Sequence, residues 1–170
     1  MLKAAASIDR VMEGFGDLLK WALPVVVALA ALVALLRYGL SIGYPWLSES
    51  FVWLNGALVF LGCAAVYSTD GHVRVDLFYR RFGPASTALV NLLGTVFFLW
   101  PMMAVLAVKA WPALHRSWAL QEGSPSIDGL PFLYLMKTAV MAFCVLLAIQ
   151  GLSTVLRSLH VLIHGAGADD

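Results

Sequence analysis

The chain has 170 residues, 61% of them hydrophobic and only 12% charged, where a soluble domain carries about a quarter charged. Its formal net charge is +1, with the Lys and Arg residues scattered along the chain. That pattern excludes a nucleic-acid surface and, with the apolar excess, an ordinary soluble domain.

Residues 1–20 read as an amphipathic helix. Ile8, Val11, Met12, Phe15, Leu18 and Leu19 recur at helical spacing, while Asp9, Arg10, Glu13, Asp17 and Lys20 take the other side. A signal peptide does not fit, because acids precede the apolar run and no small-residue cleavage site follows it. A helix of this kind lies on a membrane or against a partner.

Four charge-free runs follow: 21–36, 50–69, 82–108 and 138–156. A bilayer core needs about 20 apolar residues as helix, so the expected spans are about 21–42, 50–69, 85–109 and 131–157. The first passes Arg37, whose long stem snorkels. Pro101 is expected to kink the third. The fourth begins near Pro131, which leaves Lys137 to reach back toward the headgroups. The expected architecture is a single all-α domain of four membrane helices, with a polar tail over 158–170. Cys63 and Cys144 lie in apolar runs without metal-type spacing and read as small buried hydrophobes.

The segment between spans two and three, GHVRVDLFYRRFG at 71–83, mixes charge and oil. Asp70 suits an N-cap, and Val75, Phe78, Tyr79 and Phe82 form one helical face. Gly83-Pro84 ends the segment. It is expected to be a short interfacial helix, apolar side down, with Arg80 and Arg81 on phosphate headgroups.

Four spans put both termini on one side. With the N-terminus inside, seven Lys and Arg fall on the inner side and four on the outer, so the basic residues favour N-in and C-in. Trp46, Trp53, Trp111 and Trp118 then fall near the outer surface, where indole rings anchor.

No acidic residue lies within a span, and Gln150 is the deepest amide, suited to an interhelical hydrogen bond. Ser-His-Asp, Walker and HExxH patterns are missing, so the chain does not read as an enzyme. His72 and His160 near the inner ends leave one alternative, a haem-bearing anchor of a respiratory enzyme. A stand-alone small channel or exporter is a third, weaker reading. The outer segment HRSWALQEGSPSIDGLP is longer than a turn requires, and long loops often make contacts.

GHVRVDLFY after the second of four spans, then QEGSPSIDGLP before the fourth and LLAIQGLSTVLRSL within it, together resemble the DctQ-type small permease subunit of TRAP (tripartite ATP-independent periplasmic) transporters. The resemblance runs from about residue 10 to 160. The chain departs from the family pattern at VYSTDG, where members often carry an arginine, and at KTAVMAF, where they often carry a proline. The resemblance implies an inner-membrane scaffold subunit beside a large permease subunit that carries the sodium and solute sites. It implies a periplasmic binding protein that delivers an organic-acid-like solute. It also implies no cofactor and no catalytic residue in this chain, membrane lipids as neighbours and no nucleic acid. The residues expected at a partner or lipid interface are His72, Arg74, Asp76, Arg80, Arg81, Glu122, Ser124, Pro125 and Gln150.

Overall fold

The computed structural model describes residues 1–69 and 82–165. Every regular element among them is helical. In order they are α1 (Leu2–Lys20), α2 (Ala22–Ala34) continued by a π-helical turn (Leu35–Gly39), and α3 (Pro45–Ser68). Then come α4 (Pro84–Gly94), a second π turn (Thr95–Leu99), α5 (Trp100–Leu120) and α6 (Leu133–His164). Among the described residues, four helical stretches are long and apolar enough to cross a membrane: Leu2–Gly39, Pro45–Ser68, Pro84–Leu120 and Leu133–His164. The protein is an all-α, multi-pass membrane protein. The expected helix over 71–83, with Asp70 as its cap, falls largely outside the described residues, and so do His72, Arg74, Asp76, Arg80 and Arg81.

Local chemistry explains the element ends. Pro45 and Pro84 each occupy the first helical turn, where the missing N–H costs nothing and the fixed φ suits the helix. At the end of α5, Gln121 takes the left-handed conformation (φ 47°), and the Glu122 N–H closes on the Ser117 carbonyl at 3.0 Å. That bond satisfies a terminal carbonyl.

α6 is the centre of the bundle, packing against α1, α3, α4 and α5. Its 32 residues give a rod of about 48 Å, longer than the ~30 Å hydrocarbon core. The helix continues to His164, past the expected end at 157, because nothing in RSLHVLIH breaks it. Its buried positions are mostly small: Ala139, Cys144, Gly151, Ser153 and Ser158. Small side chains let membrane helices approach closely, and close packing is the main attraction between helices in lipid. Met12, Ala64, Met103, Cys144 and Leu147 form the core. Cys63 and Cys144 are both unbridged.

At Pro101 the helix geometry changes. It lacks the N–H that would bond the carbonyl four residues back, and its ring crowds that carbonyl. The preceding turn widens to π, and the Trp100 N–H bonds the Thr95 carbonyl, five residues back. The widened turn presses on α6 at Gly151. A Cβ on Gly151 would lie 2.9 Å from Leu99 Cδ2, 2.9 Å from Trp100 Nε1 and 3.0 Å from Thr95 Cγ2. The Trp100 indole N–H donates to the Ala148 carbonyl at 3.1 Å, which satisfies a polar group in an apolar layer.

The inward face of α1 also differs from the expectation. Ala5, Asp9 and Met12 are buried, while Val11 and Leu18 are each 67% exposed. Asp9, assigned to the outward side by periodicity, points into the bundle. Gly16 belongs to the same inward stripe, and a Cβ there would sit 2.5 Å from Ala65 Cβ of α3. The close approach of α1 and α3 at this point leaves no room for a side chain in place of Gly16.

Candidate functional site

Two polar clusters tie the bundle, one in the second half of α6 and one just before its start. The first centres on Asp9, which is 8% exposed. Its Oδ1 accepts from Gln150 Nε2 (2.7 Å) and from the Ser153 hydroxyl (2.6 Å). Its Oδ2 accepts from Arg157 Nε (3.0 Å) and from the Arg157 Nη2, which closes the ion pair. Gln150, Ser153 and Arg157 recur at i, i+3 and i+7, so one face of α6 presents all three donors. At 1.5 Å per residue the cluster lies about 26–36 Å along α6 from Leu133, near the boundary of a hydrocarbon core that begins at that end. A buried charge is tolerable only when it is paired and hydrogen-bonded, and here all the donors belong to this chain.

A polar recess of about 320 Å³ adjoins this cluster, lined among others by Glu13, Tyr67, Asn91 and Thr154. At the end of α6 the His160 and His164 rings stack, centroids 4.5 Å apart. Among the described residues no group of three His, Cys, Asp or Glu is arranged to hold a metal ion.

The second cluster fastens the long connection between α5 and α6. Glu49, in the first turns of α3, uses both carboxylate oxygens. Oε1 accepts from the Ser124 hydroxyl at 2.5 Å, and Oε2 from the Leu130 N–H at 2.8 Å. The loop closes on itself through Ser124 N–H to the Leu130 carbonyl at 2.8 Å. The Ser126 N–H donates to Ser124 Oγ at 3.1 Å, and the Gly129 N–H donates to the Ser126 carbonyl at 3.1 Å. Gly129 leaves the room this needs: a Cβ would come 2.6 Å from Ser124 Oγ and 2.8 Å from Glu49 Oε2. Lys137 reaches back past the start of α6 and pairs with Glu122. The Lys137 ammonium, hydrogen-bonded to it, holds the Glu122 carboxyl below the usual carboxylate range. The Trp118 indole N–H donates to Thr138 Oγ1 at 2.9 Å, and its ring lies 4.7 Å from that of Tyr134.

Of the expected interface residues, Glu122, Ser124 and exposed Pro125 come together in this loop. Gln150 is buried in the first cluster and bonded to Asp9. Sequence reasoning missed Glu49, Asp9 and Arg157. The available signal was slight: Glu49 is an acid at the very edge of an apolar run, and Asp9 lies next to the Ile8–Met12 stripe.

Glu49→Gln tests the clasp. A glutamine can keep its oxygen on the Leu130 N–H, but its NH₂ makes the Ser124 hydroxyl turn from donor to acceptor, and the charge that strengthens both bonds is lost. A local weakening is expected, read as faster hydrogen exchange at the Leu130 amide. Unchanged protection there would show that Glu49 does not hold the loop.

A model of the family described as "Tripartite ATP-independent periplasmic transporters, DctQ component" matches residues 26–161. No curated protein and no solved structure matches the chain.

Proposed function

The chain belongs to the DctQ family, the small permease component of TRAP transporters, and we propose that it is the fixed membrane scaffold of such a transporter. In this reading a large permease subunit carries the ion and solute sites and does the moving. The present chain widens the static frame beside it. The transporter takes up an organic-acid-like solute on an ion gradient, with sodium as the coupling ion and a periplasmic binding protein as the delivering component. The chain sits in the bacterial inner membrane with both termini in the cytoplasm. The HVRVD segment, with His72, Arg74 and Asp76, docks on the large subunit, and Arg80 and Arg81 meet lipid headgroups.

The observation that carries this reading is where the chain spends its polar groups. Asp9, Gln150, Ser153, Arg157, Glu49 and Ser124 are bonded within the chain in the two clusters. Such bonds join helices to one another, which supports a static frame over the broken helices and midplane charges of a transport site. Helix α2 buries none of its residues and turns Val25, Val27 and Leu32 outward, a face for lipid or for another subunit's helices.

The test is sodium-driven solute uptake into vesicles. Vesicles holding this chain with its large permease and binding component should take up solute, and vesicles holding this chain alone should not. Uptake by the chain alone would sink the scaffold reading. Cysteines at Ser48 and Ser126 should react with an impermeant reagent from outside, and one at Ser68 should not. The reverse pattern would invert the topology.

A further inference from the structure

Ile127 is 88% exposed, more than any other large hydrophobic residue among the described ones. The apolar residues exposed along the helices face lipid, which accounts for them. Ile127 stands off the helices, as Leu40 and Ile42 also do, but it alone of these three sits at the tip of a polar loop and is the most exposed of them. It occupies the second position of a turn from Ser126 to Gly129, closed by the Gly129 N–H on the Ser126 carbonyl at 3.1 Å. Asp128 supplies the positive φ of 57°, which Asp tolerates better than most residues. Both flanks of the turn are held by Glu49, through Ser124 and Leu130. An aliphatic side chain is thus presented on a shape set in advance. Preorganisation of this kind lowers the ordering cost of binding.

We propose that Ile127 is the apolar contact through which this chain holds the periplasmic binding component of its transporter. The proposal rests on the topological reading above, which puts the loop outside. Lipid is the poorer occupant. From Gln121 to Pro131 the loop has no Lys, no Arg and no aromatic residue, the groups that seat a segment among headgroups. Asp128, beside Ile127, would be repelled by lipid phosphate. A protein surface fits better: an apolar socket for Ile127, bordered by a cation or N–H donors for Asp128. A tripartite periplasmic transporter has a component on that face to supply it.

The experiment uses the complex of this chain with its large permease in lipid nanodiscs and the purified binding component as titrant. Ile127→Ser should raise Kd about ten-fold or more, the scale expected for losing one buried aliphatic side chain. Ile127→Val should stay within a few-fold of the parent. Uptake at saturating binding component should be retained in both, since neither variant touches a transport site. An unchanged Kd for Ile127→Ser, with its melting temperature intact, overturns the proposal. Ile127→Cys separates the remaining outcomes. Failure to label from outside overturns the topology and the proposal with it. External labelling with an apolar dye signal before any binding component is added means that lipid already covers the tip, and overturns the proposal alone.

Discussion

Replacing Asp9 by leucine is expected to give one of the two largest losses of stability in this chain, about 3 kcal/mol, measured as thermal unfolding in detergent. Asp9 is 8% exposed and accepts from Gln150, Ser153 and Arg157. Leucine leaves the Gln150 amide without that acceptor and the Ser153 hydroxyl with only the Ala5 carbonyl at 3.3 Å, at about 1–2 kcal/mol each. Arg157 adds less, because its side chain is half exposed and can turn to water. Asp9→Asn separates the contributions. It keeps one oxygen for the two neutral donors and loses the charge, so it should recover more than half of the leucine loss. Arg157→Lys should be mild, since an ammonium can still reach a carboxylate. The consequence is mechanical as well: this cluster fastens α1 to α6, and the leucine variant should expose the α1–α2 junction to protease. An Asp9→Leu protein that melts with the parent would mean that α1 is held by packing alone.

The second large effect is expected at Gly151. Leucine there should cost about 3 kcal/mol, and alanine about 1 kcal/mol, within the usual range for overpacking. The direction follows from the widened turn before Pro101, which brings Leu99 and Trp100 within 2.9 Å of where a Cβ would stand. The Leu99 side chain can rotate away. Trp100 cannot do so without giving up its bond to the Ala148 carbonyl. Tryptophan fluorescence therefore offers a second readout, a shift of the emission maximum in the leucine variant as the indole leaves its site. If Gly151→Leu keeps both the melting temperature and the emission spectrum, the close seating of the π turn on α6 is not a constraint on the fold. A double variant, Gly151→Leu with Trp100→Phe, should lose less than the sum of the two, since both act on one contact.

The comparison of sequence with structure turns on range. Four membrane helices were legible from run length, because the thickness of a bilayer demands a minimum apolar stretch whatever the rest of the fold does. The helix start at Pro84 was legible for the same kind of reason, since proline at the first turn is a local matter, whereas the second span, expected from residue 50, begins at Pro45. Membership of the family was legible in GHVRVDLFY and QEGSPSIDGLP, and the match over residues 26–161 agrees.

What tertiary structure decided lies in contacts between distant residues. Asp9 meets residues about 140 to 150 positions away, and Glu49 meets residues 75 and 81 positions away. Helical periodicity marks which side chains share a face of α1, but in lipid an apolar face can look outward as stably as inward. The choice fell to the fit of Gly16 against Ala65 and to the donors on α6, so Val11 and Leu18 turned out and Asp9 turned in. Pro101 was readable as a disturbance. That the disturbance took the form of a π turn, seated against Gly151 of α6, is visible only in the structure. The number and extent of helices follow from the solvent each residue must satisfy. The choice of face follows from close packing and from buried polar pairing, which exist only once two helices have met.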